Sequence, residues 1–347
     1  MPRVVSEVIS RARSLSCTPY DSIIYELFSA RSGALVAERR SECGGYKKTW
    51  QYIQYFSIVV LKAENDCSNL KSIMKGRSMG DASYTKAIVT FVDLLGFKEA
   101  VNKKSASEAN DILDAFLKCM QDNYASHYEE VYKTPPLTYS AVFSDSVYRV
   151  TYLDHPINDN HPYGAVFHEV LALSHGLINL FPAGIMFRGA ISVGDIFVDP
   201  ENNKFFGPAL LEATKVESEI EAPCIALSDS VIKTNKDPKY AASQNTPEQE
   251  EGYLESLLAE GKVGSKGTKY RFIDIFKAAD SEADCFEDWL WMIREFIFDG
   301  CKKFKDDEVV LRKYNWLKVQ FNNYVSGLDD TVVYEHMGMG IAGLRIR

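Results

Sequence analysis

The stretch Lys86–Phe97, KAIVTFVDLLGF, constrains the fold of this chain more than any other segment. Its β-branched and aromatic residues form an apolar run too short for a globular helix, so we predict a buried strand over Ala87–Val92. Asp93 follows where the strand becomes a loop, and Gly96 behind it lets the backbone bend close to a ligand. A carboxylate at such a strand end is costly unless it is paired or holds a cation. The pattern favours either a metal–phosphate site at Asp93 or an aspartate that caps the next helix.

A second acid is expected at the tip of a hairpin. Two β-rich runs, Thr138–Phe143 and Val147–Leu153, flank a short Ser-Asp-Ser turn centred on Asp145, which is a hairpin signal. Antiparallel pairing of this hairpin beside the first strand would bring Asp93 and Asp145 close together. Two carboxylates on neighbouring strand ends can hold two divalent cations, which clamp a phosphoryl group during in-line displacement.

Composition limits the class of protein. The 347 residues are 46% hydrophobic and 25% charged, which is ordinary for a soluble protein, and the net charge of −9 argues against a general nucleic-acid binder. The seven cysteines are widely spaced and form no CxxC motif, which favours reduced thiols. The first residues, MPRVVSEVISRARS, lack the apolar core of a secretory signal, and no apolar run is long enough to cross a bilayer. We therefore expect a cytoplasmic protein without a nucleic-acid or membrane partner.

The order of the remaining patterns predicts an α+β protein. A capping box formed by Ser105 and Glu108 begins a helix after the first strand. The further expectations, in chain order, are helices at Val4–Leu15, Ser22–Arg31 and Trp50–Ala63, a helix at Tyr163–Phe181, two strands or a tight hairpin within Ile185–Val198, a helix within Phe205–Ile220, a strand at Cys224–Ser228, a polar loop at Lys236–Gly252, a strand at Tyr270–Phe276, and helices over 283–326. This order indicates a ferredoxin-like core with an antiparallel-rich sheet over 85–278, flanked by helical extensions at 1–84 and 279–347.

Four segments carry a resemblance to a known family. FVDLLGF, FSDS, RGAISVGDIF and FFGPALLEATKVE, in this order, resemble the class III nucleotidyl cyclase catalytic domain over about residues 85–277, and most of all the Pycsar pyrimidine cyclases of bacterial anti-phage defence. The resemblance implies that Asp93 and Asp145 bind two divalent ions, Mn²⁺ or Mg²⁺, together with the Leu94 carbonyl. It also implies nucleotide contacts from Arg188 and from the backbone of the triphosphate loop, at Leu95, Gly96 and Phe97.

The same resemblance implies a composite site across a head-to-tail homodimer. Lys215 stands where adenylyl cyclases have a transition-state arginine, and Leu211 stands where they have an asparagine, so the function of that asparagine is missing from the pattern. Lys204 occupies the acidic base-reading position. Lys215 and Lys204 could equally be solvated surface lysines.

Lys204 and Tyr139 indicate which base the substrate carries. Lys204 can only donate hydrogen bonds, and Tyr139, on the first hairpin strand, offers a ring for stacking and a hydroxyl group, although it could equally be a core residue. Uracil presents two carbonyl acceptors, whereas cytosine replaces one of them with an amino donor. We therefore expect UTP to be converted to 3′,5′-cyclic UMP and pyrophosphate, with CTP second, and a separate cyclic-nucleotide-responsive effector to read the product. A non-catalytic nucleotide-binding module and a polymerase-like or diguanylate-cyclase-like palm stay open.

Overall fold

A computed structural model describes residues 83–347 apart from 121–136, 156–157, 159–161, 201, 203, 265–266 and 331–338. The helices predicted at Val4–Leu15, Ser22–Arg31 and Trp50–Ala63 lie outside the described residues. Among the described helices, none is both long enough and apolar enough to cross a lipid bilayer.

A mixed sheet forms the centre of the described part of the chain. The labels number the strands along the chain: β1 (Thr85–Leu94), β2 (Thr138–Phe143), β3 (Ser146–Tyr152), β4 (Phe187–Asp199), β5 (Lys204–Phe206), β6 (Ile225–Leu227), β7 (Leu258–Lys262) and β8 (Lys269–Ile273). The strand order in the sheet is β2-β3-β1-β4-β6-β8-β7, with β5 paired to β4, and β4 and β6 run parallel while the other pairs are antiparallel.

The first four strands form the predicted ferredoxin-like core. Helices α1 (Phe97–Lys103) and α2 (Ala106–Met120) lie between β1 and β2 in the chain, and α3 (Ala165–Leu180) lies between β3 and β4. The spatial order of strands four, one, three and two follows from this βαββαβ pattern. The predicted capping box begins α2, since Ser105 and Glu108 exchange hydrogen bonds of 2.9 Å and 3.3 Å.

Alternation along β1 decides which residues face the site. Phe187 of β4 packs against Phe116 of α2, with ring centroids 5.7 Å apart, on one face of the sheet. On the other face, Ala87 and Val89 of β1 pack against helix α4 (Pro208–Glu219). Because side chains alternate along a strand, Asp93 belongs to the same face as Ala87 and Val89.

A buried polar network fixes β1 and β3 to helix α3. The Arg149 guanidinium donates to both carboxylate oxygens of Glu169, at 2.8 Å and 2.9 Å, and hydroxyl groups of Thr90 and Thr151 donate to the same carboxylate. Burial alone would raise the pKa of Glu169, but the charge of Arg149 and these hydrogen bonds hold it below its ordinary value.

Two predictions about elements were wrong. Ile185–Val198 is not two strands, because β4 is continuous and pairs with β1 from Leu94–Phe187 to Thr85–Ile196. Gly189 permits this pairing, since a Cβ atom there would lie 2.5 Å from the carbonyl oxygen of Phe91.

Lys236–Gly252 is also not a loop throughout, because helix α6 (Pro247–Leu257) begins inside it, after α5 (Asp229–Asn235). A capping box of Thr246 and Gln249 starts α6. The buried Glu250 of this helix accepts hydrogen bonds from the backbone amides of Gly164 and Ala242.

The C-terminal helices pack on the core. They are α7 (Ile275–Glu282), α8 (Phe286–Lys303), α9 (Glu308–Val325) and α10 (Ile341–Leu344). The indole of Trp289 in α8 donates to the Ile178 carbonyl at 2.8 Å, and Trp316 of α9 makes an edge contact with Phe272 of β8 at 5.5 Å. Helices over 283–326 are therefore found as predicted, while the domain boundaries stay a prediction.

Candidate functional site

Asp93 lies near the end of β1, between two neighbouring strands. It pairs with Ser146 of β3 on one side and with Arg188 of β4 on the other. The Ser146 hydroxyl donates to Asp93 Oδ1 at 2.8 Å. The alternative of a helix cap is wrong, because α1 begins after Gly96, whose φ is 83°, and no side chain caps it.

Asp145 is brought to the same end of the sheet by the predicted hairpin. The turn between β2 and β3 places Ser144 at a positive φ of 57°, and the backbone amide of Leu94 donates to the Asp145 carbonyl at 3.0 Å. The hairpin tip is thus tied to the end of β1. Beside it, the Leu95 amide donates to the Met186 carbonyl at 2.8 Å, so this amide is already engaged in the protein.

The negative charges of Asp93 and Asp145 repel each other at this end of the sheet. Burial raises the pKa of Asp93 and the negative charge of Asp145 raises it further, while the Ser146 hydrogen bond, Arg188 and Lys313 act in the opposite direction. Within the described ranges, no group of three or more His, Cys, Asp or Glu side chains could hold a metal ion. The two carboxylates are hard oxygen donors that suit Mg²⁺ or Mn²⁺, with the remaining ligands left to backbone, water or substrate oxygens.

Arg188 is held beside Asp93 by helix α4. Its Nε atom forms an ion pair of 2.6 Å with Glu217, and its Nη1 atom donates to the Ile220 carbonyl at 2.8 Å. Burial raises the pKa of Glu217, as does the charge of Asp93, although Arg188 lowers it. Glu217 carries no local sequence signal, because only the fold brings the end of α4 to the start of β4.

An aromatic surface adjoins the acids. Phe91 and Tyr148 stack with ring centroids 4.7 Å apart and planes inclined by 18°. Tyr148 of β3 pairs with Phe91 of β1 on one side and with Ala141 of β2 on the other, and its side chain lies on the same face of the sheet as Asp93. Burial raises the pKa of the Tyr148 hydroxyl, with further contributions from the charges of Asp93 and Glu217. The alternation of Ser146 and Tyr148 along the strand was the signal that could have revealed this residue.

The two residues that were expected to read the base, Tyr139 and Lys204, lie away from Asp93 within one chain. Tyr139 of β2 pairs with Val150 of β3, which in turn pairs with Val89 of β1. Val89 lies four residues, or roughly 13 Å, from Asp93 along β1. Its ring packs against Phe205 at 4.9 Å and its hydroxyl donates to the Pro200 carbonyl at 3.1 Å.

Lys204 is farther away. It pairs with Asp199, which is 11 residues, or roughly 36 Å, along β4 from Arg188. On α4, Lys215 is exposed and Leu211 is 71% exposed. A single chain therefore unites Asp93, Asp145 and Arg188, but it does not bring Lys204 to them.

Comparisons with known proteins give little. No protein-family model matches the sequence, and the comparison with curated proteins found no match. Among solved structures, the chain is similar to a class III adenylyl cyclase-like ATP-binding protein from Pseudomonas aeruginosa, with 10% identity and a TM-score of 0.30, over 49% of this chain and 40% of that chain. This chain thus spans less than half of that protein, and a likeness of this size defines neither the fold nor the function.

Proposed function

We propose that this chain is a metal-dependent nucleotidyl cyclase that converts UTP to 3′,5′-cyclic UMP and pyrophosphate, with CTP as the second-best substrate. The observation that supports it is the meeting of Asp93 and Asp145 at one sheet edge, with Arg188 on the adjacent strand. Two carboxylates and one guanidinium are the groups that a metal–triphosphate substrate requires.

Each group has a distinct part in this reaction. Asp93 and Asp145 would hold the two Mn²⁺ or Mg²⁺ ions, with the Leu94 carbonyl beside them; such ions lower the pKa of the attacking 3′-hydroxyl and neutralise the triphosphate. Arg188 adds positive charge for the phosphates. Since the Leu95 amide donates to Met186, backbone contacts from this turn would come from Gly96 and Phe97.

The composite site is proposed to form across a head-to-tail homodimer. Lys204 and Asp93 lie at opposite ends of the sheet, and a two-fold arrangement of this kind sets one end of each copy against the other end of its partner. By the sequence resemblance, the Lys215 side chain of one copy would place its charge on the α-phosphate bound by the other. Lys204 and Tyr139 would contact the base, where a donor-only lysine favours the two carbonyl groups of uracil.

The biological part of the proposal comes from the sequence resemblance. A cyclic pyrimidine nucleotide would act as a second messenger in anti-phage defence. A separate cyclic-nucleotide-responsive effector would read it.

An equimolar mixture of ATP, GTP, CTP and UTP with Mn²⁺ tests the proposal. Cyclic products are identified by mass spectrometry and pyrophosphate is measured in parallel. We expect cyclic UMP and pyrophosphate in equal amounts. A dominant cyclic purine would overturn the base assignment, and dominant cyclic CMP would overturn the uracil argument alone.

The second candidate is a nucleotide-binding module without turnover. It is favoured by Leu211, which offers no polar group at the position where the resemblance implies an asparagine, and whose side chain is open to solvent. Calorimetric binding of UTP without release of pyrophosphate, under the conditions of the substrate mixture, would identify this candidate.

A further inference from the structure

Helix α9 brings a lysine from the C-terminal region to the carboxylate site. Lys313 is half-buried and lies one helical turn before Trp316. Residues three apart lie on the same side of a helix, so Lys313 shares the inward side of α9 with Trp316. No sequence motif in this region indicates a chemical role.

The contacts of Trp316 place this side of α9 over the sheet. Trp316 packs against a buried cluster that includes Ala190, Ala226 and Phe272, which pair across β4, β6 and β8. Arg188 lies two residues before Ala190 on β4 and therefore on the same face. The Lys313 ammonium is close enough to interact electrostatically with Arg188 and Asp93.

The ammonium group is uncommitted. Across the part of the chain that the structure describes, Lys313 forms no ion pair and no hydrogen bond, whereas Arg188 is held by Glu217 and Ile220. Its charged neighbours are Arg188, Asp93 and Asp307, and burial together with Arg188 lowers the pKa of Lys313. Two cations side by side, of which Lys313 forms no direct ion pair with a described residue, are stabilised by a bound anion.

We propose that Lys313 binds the terminal phosphates of the triphosphate, so that helix α9 supplies a cation to the site of its own chain. The inference rests on the proposed function for the nature of the substrate. It makes the C-terminal helices part of the nucleotide site, in addition to the catalytic segment that the resemblance covers. The lysine acts on the leaving pyrophosphate, at the end of the substrate away from the base.

Binding of inorganic tripolyphosphate in Mg²⁺, measured by calorimetry on the full chain, tests this directly. Lys313→Gln removes the charge, Lys313→Arg restores it, and Arg312→Gln is the matched control, since Arg312 is the exposed neighbour on the same helix. We expect Lys313→Gln to raise the Kd about tenfold or more, because a charge-assisted hydrogen bond is lost. Arg312→Gln should stay within about twofold of wild type, and Lys313→Arg should regain most of the affinity.

The outcomes separate this inference from the cyclase proposal. Wild-type affinity in Lys313→Gln with unchanged melting temperature overturns the role of Lys313, even if the enzyme makes cyclic UMP. Lys313-dependent tripolyphosphate binding in a protein that cyclises no nucleotide supports the role and overturns the cyclase. Failure of the wild-type chain to bind tripolyphosphate overturns the role of Lys313, and the nucleotide mixture then decides the cyclase proposal independently.

Discussion

Asp93 and Asp145 are the single residues on which the proposed chemistry depends. Changing either one to Asn removes a carboxylate charge while keeping the size of the side chain and, at Asp93, an acceptor for the Ser146 hydroxyl. We expect each variant to lose turnover by several orders of magnitude, because metal binding supports nucleophile activation and charge neutralisation together. The measurement is pyrophosphate release from UTP with Mn²⁺.

Thermal melting provides the control for these variants. The melting temperature should stay at or above that of wild type, since each change relieves repulsion between two nearby carboxylates. Asp111→Asn, on the exposed side of α2, should leave turnover unchanged. A tenth of wild-type turnover in either site variant, with unaltered metal dependence, contradicts the assignment.

Residue identities could be predicted only where local sequence places them. Asp93 and Asp145 were visible because a strand end and a hairpin turn are local patterns that fix a side chain at a sheet edge. Glu217, Tyr148 and Lys313 acquire their setting from elements distant in sequence, so no local pattern marks Glu217 or Lys313. Lys204 was assigned to a shared site by resemblance, and the sheet places it far from Asp93 within one chain.

At the scale of elements, the Arg149–Glu169 pair holds the strands that present the acids. Both partners are buried, and the pair joins β3 to α3 while Thr90 of β1 donates to the same carboxylate. Arg149→Met leaves Glu169 buried without its cation. We expect a loss of about 3–5 kcal/mol in the free energy of unfolding at neutral pH, measured by urea denaturation.

The stability lost in Arg149→Met should depend on pH through the ionisation of Glu169. In wild type the pKa of Glu169 is lowered in the folded state, so its contribution is complete above the unfolded pKa and lost as pH falls through the folded pKa. Without Arg149, burial raises that pKa, and the variant should regain stability relative to wild type as the pH falls from 7 to 5. Arg271→Met breaks the more exposed Arg271–Glu255 pair and should cost less than about 1 kcal/mol. Equal losses in the two arginine variants would contradict the argument.

Element type followed from the sequence where periodicity was clear, and failed where tertiary contacts decide. The hairpin and α2 have local signals, namely the Ser144–Asp145 turn and the Ser105 capping box. The division of β4 was wrong because pairing with β1 continues through Gly189, which permits the close approach of the two strands. The start of α6 was missed because the segment is mostly polar and therefore resembles a surface loop. Its Glu250 is buried, where it accepts hydrogen bonds from backbone amides outside the helix.

At the scale of the whole molecule, the proposed dimer predicts which exposed apolar side chains become buried. Leu211 is 71% exposed beside Phe206 and Tyr84, at the end of the sheet far from the acids, and Phe143 at the hairpin tip is 76% exposed. In a head-to-tail pair these two ends face each other, so Leu211→Asp should convert a sedimenting dimer into a monomer and abolish turnover. Val319→Asp, on a 53% exposed residue of α9, should remain dimeric.

Equimolar Asp93→Asn and Lys215→Ala chains should recover about a quarter of wild-type turnover, because half of the dimers are mixed and each mixed dimer holds one intact site. A wild-type monomer that cyclises UTP at micromolar concentration would show that each chain builds its site alone and would overturn the action of Lys215 across the dimer.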